Sequence, residues 1–276
     1  MEKIRLVQNK INPLVLPVIF ADKLGYFEKF GVPVDLTITE TFQFAQKSSF
    51  VAGDVDAMMG DLTFYFNYRQ QGKDAVVTTD LTRTIQLLVK KDAPKKGLRI
   101  GVARKGLFPF FMAHDLKNIL NQPEIVWVDN TYERMDLLQN EKIDGLVAIE
   151  PFITDILKSQ PDTEILWHSK NSNKNMVMWC FDRKFYDNNG ETVANFHRAL
   201  EAAAQDFNAL SATEKCAQAI KVAHYTPQAA ENLRHFTFEE QHNYAAKDFE
   251  LLADFLWQTG EVNQKYLAAD CLRKVF

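Results

Sequence analysis

Hydrophobic positions in the first sixty residues switch repeatedly between a period of two and a period near four. Residues 4–10, IRLVQNK, read as a strand running into a loop, and residues 17–31, PVIFADKLGYFEKFG, as a short helix stopped by a glycine. Residues 32–41, VPVDLTITET, form a second strand, and 42–53, FQFAQKSSFVAG, a second helix with a glycine stop. In 54–63, DVDAMMGDLT, a third strand breaks into a loop at Gly60, freeing Asp61, Leu62 and Thr63 from the ladder. This alternation predicts parallel strands whose trailing loops gather along one sheet edge, where small ligands bind.

A second alternating block follows. Residues 75–80 and 84–91 are strand-like, 92–97 is turn-like DAPKKG, and 98–103 is another strand. Pro109 opens a helix over 109–120, at the first-turn position proline tolerates. Then come a strand at 124–128, a helix at 132–140, and strands at 144–149, 164–168 and 175–181. The helix at 132 carries a start signal, Asn130 as N-cap with Glu133 three residues on. From Gly190 onward the pattern is helical. Val193, Phe196, Leu200, Ala204 and Phe207 recur at helical spacing, and 213–224, 226–234 and 248–259 continue it, the last ending at Gly260. No internal repeat and no low-complexity segment stands out.

A domain reading follows from this order. Two α/β lobes are expected, 1–92 with 172–276 and, inserted between them, 93–171. Strands near 87–91 and 176–181 would be the connections, a two-strand hinge on which lobes can close around a ligand.

Composition narrows the function classes. The chain has 276 residues, 46% hydrophobic and 25% charged, enough for a large core and favouring two lobes over one. A formal net charge of −4, with basic residues only in short groups such as Lys90-Lys91 and Lys95-Lys96, argues against a nucleic-acid partner. Cys180, Cys216 and Cys271 lie far apart in neither a disulfide nor a zinc pattern, as buried apolar cysteines do. No apolar run approaches the ~18–20 residues of a membrane span, and the N-terminus has no leader pattern. The expected location is periplasmic or extracytoplasmic if a leader has been trimmed, and cytoplasmic if the chain is complete as given.

The chemical motifs are weak. Residues 101–106, GVARKG, have the glycine spacing of a phosphate-binding loop, but Leu107 and Phe108 stand where Lys and Ser/Thr belong. The six histidines are scattered, His235 and His242 being seven apart, so no metal site is expected. Asp54 and Asp56 flank Val55 without a base or metal partner, which favours loop anchoring over catalysis. The aromatic runs Phe64, Tyr65, Phe66, Tyr68 and Phe108, Phe110, Phe111 read mainly as core. Each begins at a strand end, where a ring or two could stack on a flat ligand.

Several phrases resemble a family. GYFEKFGVPVDLTIT (25–39), FVAGDVDAMMGDL (50–62), LRIGVARKG (98–106), DLLQNEKIDGLVAIEPF (136–152) and DFELLADFLWQTG (248–260) occur in register over nearly the whole chain. They are similar to phrases of the ABC-transporter substrate-binding proteins for aliphatic sulfonates, taurine, nitrate and thiamine pyrimidines. The resemblance implies a type II periplasmic-binding-protein fold and a small-molecule ligand. It also implies ABC permease and ATPase subunits as partners, with no cofactor and no membrane insertion.

On that fold the expected ligand-contacting residues are loop positions at strand ends. From the first lobe these are Asn9, Lys10, Asn12 and Pro13, then Asp61, Leu62 and Thr63. Thr82 and Arg83 flank the hinge. Lys105, Gly106, Phe108, Asn130, Thr131 and Glu150 come from the second lobe. Two departures bear on the ligand. Lys105-Gly106-Leu107-Phe108 replaces the Gly-Ser-Thr turn common in sulfonate and nitrate carriers. The first loop, Asn9 to Leu14, lacks the tryptophan and histidine usual in pyrimidine carriers. Lys10, Arg83 and Lys105 against Asp61 and Glu150 make mixed charge, which suits an amino-substituted heterocycle, such as a thiamine-precursor pyrimidine, better than a simple anion.

The alternative is an intracellular enzyme on the same fold. A desulfinase-like one needs a nucleophilic cysteine in the first lobe's cleft, and the three cysteines lie elsewhere. A pyrimidine-synthase-like one needs a histidine in the N-terminal loops, and the first histidine is His114. A ligand sensor without a transporter shares the leading reading's sequence features.

Overall fold

The computed structural model describes residues 2–10, 12–39 and 45–276, with side chains from 49 onward in the last segment. Ile11 of the first loop and residues 40–44, where the second strand was expected to end and the second helix to begin, lie outside the described residues. The chain divides into two compact units, Met1–Thr82 with Met176–Phe276 and Arg83–Asn175.

The first unit opens with β1 (Ile4–Asn9), a 3₁₀ turn (Pro13–Val15), α1 (Leu16–Lys23), α2 (Tyr26–Lys29) and β2 (Val34–Thr39). One helix was expected over 17–31. Gly25 adopts φ +79°, a left-handed conformation open to glycine, and so divides it in two. β2 lies parallel to β1, with Ile4 opposite Val34 and Asn9 opposite Thr39. After α3 (Ala45–Ala52) come β3 (Ala57–Asp61), α4 (Leu62–Gln70) and β4 (Ala75–Asp80).

α4 corrects an expected loop. Leu62, Tyr65 and Phe66 stand at i, i+3 and i+4 and are fully buried. Phe66 packs 5.1 Å from Phe249 and 5.3 Å from Tyr266, so this aromatic run is core. Gly60 does not break β3 either. It pairs with Met178, and a Cβ on it would lie 3.1 Å from the Phe64 ring.

The second unit contains β5 (Gln86–Lys90), β6 (Arg99–Val102), α5 (Phe108–His114), β7 (Glu124–Trp127), α6 (Thr131–Gln139), β8 (Gly145–Ala148), α7 (Phe152–Ser159) and β9 (Thr163–His168). Its sheet runs β7-β6-β8-β5-β9. β6 is parallel to β7 and β8, and β5 is antiparallel to β8 and β9. Leu88, Leu138, Leu146, Ile153 and Ile156 form its core. β5 was expected in the first lobe. Its ladders to β8 and β9 place it in the second unit and move the boundaries from 92/93 and 171/172 to 82/83 and 175/176.

On its return the chain forms β10 (Val177–Asp182), which inserts between β3 and β4, antiparallel to both. The strands expected as a hinge, β5 and β10, each lie within one unit's sheet. Then follow α8 (Arg183–Ala209), α9 (Ala212–Ala223), α10 (Pro227–Glu231), α11 (Ala246–Gln258) and α12 (Ala268–Cys271). Helix begins seven residues before the expected Gly190 because Asp182 caps α8, accepting the Phe185 N–H at 2.9 Å. The backbone leaves helical geometry at Asn189, one residue before that glycine. Val193, Phe196, Leu200, Ala204 and Phe207 are buried as their spacing predicts, Phe196 lying 5.2 Å from Trp179.

One local arrangement occurs in both units, although no repeat is visible in the sequence. Asp56, just before β3, accepts the Arg5 backbone N–H at 2.8 Å and its guanidinium at 2.6 and 3.0 Å. Asp144, just before β8, accepts the Arg99 N–H at 2.8 Å and its guanidinium at 2.6 and 3.1 Å. Each carboxylate ties the start of the third strand of a β-α-β-α-β run to the start of the first. Asp56 is thus an anchor, as expected. Arg99 holds the Asp144 carboxyl below its usual range.

Candidate functional site

In the first unit the candidate residues follow β1, β3 and β4. Asn9 is buried at the end of β1. Asn12 is engaged as a cap, its Oδ1 accepting the Leu14 N–H at 3.0 Å ahead of Pro13, which starts the 3₁₀ turn. Lys10 is committed within the unit. Its Nζ donates to the His224 carbonyl at 3.0 Å, at the C-terminal end of α9, and its own carbonyl accepts the Tyr225 hydroxyl at 2.6 Å. A cation there complements the helix end, which accounts for the lysine without a ligand.

Asp61 stands at the N-cap position of α4 and Thr63 in its first turn. Leu62 is fully buried, with its N–H donated to the Met176 carbonyl at 2.9 Å, so its side chain is core rather than lining. Thr63 is 6% exposed, and its Oγ1 has no hydrogen-bond partner among the described residues. Gln8, one residue before Asn9, is 2% exposed, and its Nε2 likewise has none among the described residues. Thr82 Oγ1 accepts the Glu239 N–H at 2.9 Å. Beside Thr82 a cavity of about 10 Å³, roughly one water in size, is lined by Leu14, Leu81, Trp179, Phe238 and Glu239. The indole N–H of Trp179 is buried without a partner among the described residues.

Behind this wall His197 is fully buried. Its ring nitrogens lie 3.0 Å from Thr78 Oγ1, 3.3 Å from Thr79 Oγ1 and 3.1 Å from Gln241 Oε1. Burial lowers its pKa to about 3, so the ring is neutral and serves as a fixed hydrogen-bonding post.

In the second unit the candidate residues follow β6, β7 and β8, except Arg83, which precedes β5 and donates to the Ser172 carbonyl at 2.8 Å. Lys105 is exposed, and Gly106 takes φ +83° before α5. Asn130 caps α6 as its spacing predicts, accepting the N–H groups of Tyr132 and Glu133 at 2.9 and 3.2 Å. Thr131 Oγ1 accepts from Arg134 at 2.9 Å, and the Arg134 guanidinium lies over the Phe108 ring, 5.5 Å from its centre. Glu150 follows β8 and accepts the Thr154 N–H at 3.2 Å and its hydroxyl at 3.0 Å, both on Oε2. Burial holds its carboxyl above the usual range. Of the second aromatic run, Phe110 and Phe111 are core and Phe108 is part-exposed.

Gln8, Trp179 and Arg134 were not among the expected residues. Two of them break the phase of their element. Gln8 shares the buried face of β1 with Ile4 and Leu6, and Arg134 stands one turn before buried Leu138 in α6. A polar side chain in a core phase was the available signal.

No protein-family description and no curated protein matches the sequence. Solved structures do. The periplasmic aliphatic sulphonate binding protein SsuA of Escherichia coli aligns at TM-score 0.79 and 12% identity, over 99% of this chain and 97% of that one. The alkanesulfonate-binding SsuA of Xanthomonas axonopodis pv. citri, bound to MOPS, aligns at 0.70 and 13% identity over 99% and 98%. The periplasmic nitrate-binding protein NrtA of Synechocystis PCC 6803 aligns at 0.63 and 11% identity over 95% and 82%. The chain has the periplasmic-binding-protein fold, and these neighbours are of the group its sequence phrases resemble.

Proposed function

We propose that the chain is a solute-binding protein that takes up a small organic molecule and delivers it to the permease and ATPase of an ABC importer, working outside the cytoplasm. The observation that carries this reading is a pair of buried polar groups with no hydrogen-bond partner among the described residues, Gln8 Nε2 near the end of β1 and Thr63 Oγ1 just after β3. A desolvated polar atom without a partner costs roughly 1–3 kcal/mol, and each such group in a native protein calls for an explanation. A bound polar molecule supplies the missing partner. The likeness to sulphonate- and nitrate-binding proteins over almost the full chain supports the same role.

The ligand we infer is a flat, amino-substituted heterocycle of the thiamine-precursor pyrimidine type. Glu150 supports this, since its two bonds to Thr154 both fall on Oε2 and leave Oε1 for a ligand donor. The part-exposed Phe108 ring offers a face to an apolar body. Binding without turnover fits the cysteines. Cys180 is fully buried and its thiol is pushed up by desolvation, away from the thiolate a nucleophile requires.

Isothermal titration against sulfonates, pyrimidines and small heterocycles tests the reading. Saturable binding of at least one, without chemical change, is expected. Turnover of the bound compound, or no affinity across the panel, would overturn it.

A further inference from the structure

Arg134 is 1% exposed, and arginines are almost never so deeply buried without a carboxylate. None bonds it here. One terminal nitrogen donates to the Val128 and Asp129 carbonyls at 2.7 and 3.1 Å, the other to Thr131 Oγ1 at 2.9 Å, and Nε is buried with no partner among the described residues. Asp129, the acid whose charge acts on it, is itself engaged. Its carboxylate accepts the Arg104 N–H at 2.7 Å and lies 3.9 Å from the Arg104 guanidinium. Burial lowers the Arg134 pKa to about 10, which still leaves it charged at neutral pH. The fold makes room for it. A Cβ on Gly101 would lie 2.8 Å from Ile143 Cδ1 and 3.3 Å from Arg134 Cδ.

The partners of Arg134 after β6 and β7 belong to the candidate segments there. Three bonds fix residues 128–131, including Thr131 beside the cap Asn130, and the cation–π contact fixes Phe108. Arg104 and Lys105 add exposed positive charge, against Asp129 and Glu150.

We propose that Arg134 is the positioning and specificity-determining residue of the second unit. It locks Phe108, at the start of α5, and residues 128–131, and sets beneath them a positive charge that favours a ligand carrying an anionic group as well as the donor recognised by Glu150. This rests on the solute-binding reading and deepens it. The charge is long-lived because the guanidinium cannot deprotonate in the working range, and it acts strongly because water is excluded around it.

The test uses a matched pair of probes, metanilate (3-aminobenzenesulfonate) and 3-aminobenzenesulfonamide, which share a ring and an amine and differ in charge. Titration calorimetry should show the unaltered protein binding metanilate at least tenfold more tightly. Arg134→Gln should abolish that preference, weakening metanilate at least tenfold and the sulfonamide less than twofold. Arg134→Lys keeps the charge without the forked geometry and carries the test if the Gln variant does not fold. It should weaken both probes while preserving the preference.

A tenfold preference that survives in Arg134→Gln overturns the proposal. So does an Arg134→Lys protein that binds both probes normally or loses the preference, and an unaltered protein that shows no preference or binds neither probe. Failure of the solute-binding reading is distinct, because the protein then binds no member of the wider panel either.

Discussion

Thr63 offers a perturbation whose two effects have opposite signs. Its hydroxyl is dehydrated on folding and finds no partner among the described residues, whereas in the unfolded chain water satisfies it. Thr63→Val keeps the shape, replaces the hydroxyl with a methyl and changes helix propensity little at this first-turn position. Relief of the unmet bond, worth roughly 1–3 kcal/mol by mutational data, makes about 1–2 kcal/mol of stabilisation the expected outcome for the ligand-free protein. At about 2–4 °C per kcal/mol for a unit of this size, the melting temperature rises by roughly 2–8 °C. Urea unfolding followed through the fluorescence of buried Trp179, in the same unit, reads the change directly.

The same substitution removes one ligand hydrogen bond. Affinity for the compound found by titration should fall by about 0.5–1.5 kcal/mol, or roughly twofold to twelvefold. A less stable Thr63→Val protein would mean that the hydroxyl has a partner in the fold. Unchanged affinity would remove it from the site. Either result refutes the reasoning.

Glu150→Gln should weaken an amine-bearing ligand by roughly 1.5–3 kcal/mol in calorimetry, the range for a hydrogen bond to a charged group, and unchanged or tighter binding counts against recognition by that carboxylate. His197 binds its proton more weakly folded, at about 3, than unfolded, near 6.5, so its contribution is present above pH 6.5 and is lost as pH falls toward 3. The stability gap between the native protein and His197→Asn should therefore shrink by up to about 1.4 kcal/mol per unit between pH 6.5 and 5, and urea midpoints showing a pH-independent gap would refute this. In Gly145→Ala the new Cβ would run into the Leu88 carbonyl oxygen and lie 2.8 Å from Val89 Cγ1. A loss of about 2–3 kcal/mol or more in the second unit is expected, and a shift of the urea midpoint worth less than 1 kcal/mol would show that β8 can move aside.

Strand positions were legible because runs rich in β-branched and aliphatic residues, such as 75–80 and 124–128, meet no competing pattern, and β4 (Ala75–Asp80) has the expected bounds. The misses share a cause. In 62–70 the aromatic density masked a 3.6-residue period, and at Arg183 the helix begins in polar residues whose cue is one aspartate cap. The reversed strands β5 and β10 could not be read locally, since direction and partner depend on chain more than 50 residues away. In the candidate site, Asn130 was readable as a cap because capping is local. That Lys10 reaches His224 and that Leu62 faces the core are long-range facts, and no spacing rule contains them.

The place of β10 has a consequence for how the chain is made. β3 and β4 do not pair with each other, and each meets β10 along one edge. On a ribosome they emerge early, then wait for the whole of the second unit before their shared partner appears. At 5–20 residues per second that wait is on the order of 5–20 s, far longer than a hairpin needs to form. During it, Met58, Val76 and Val77 sit on open strand edges, the kind that pair wrongly with other chains. The second unit, continuous in sequence, can finish folding meanwhile. Nascent chains stopped between residues 90 and 170 are therefore the ones most in need of a chaperone.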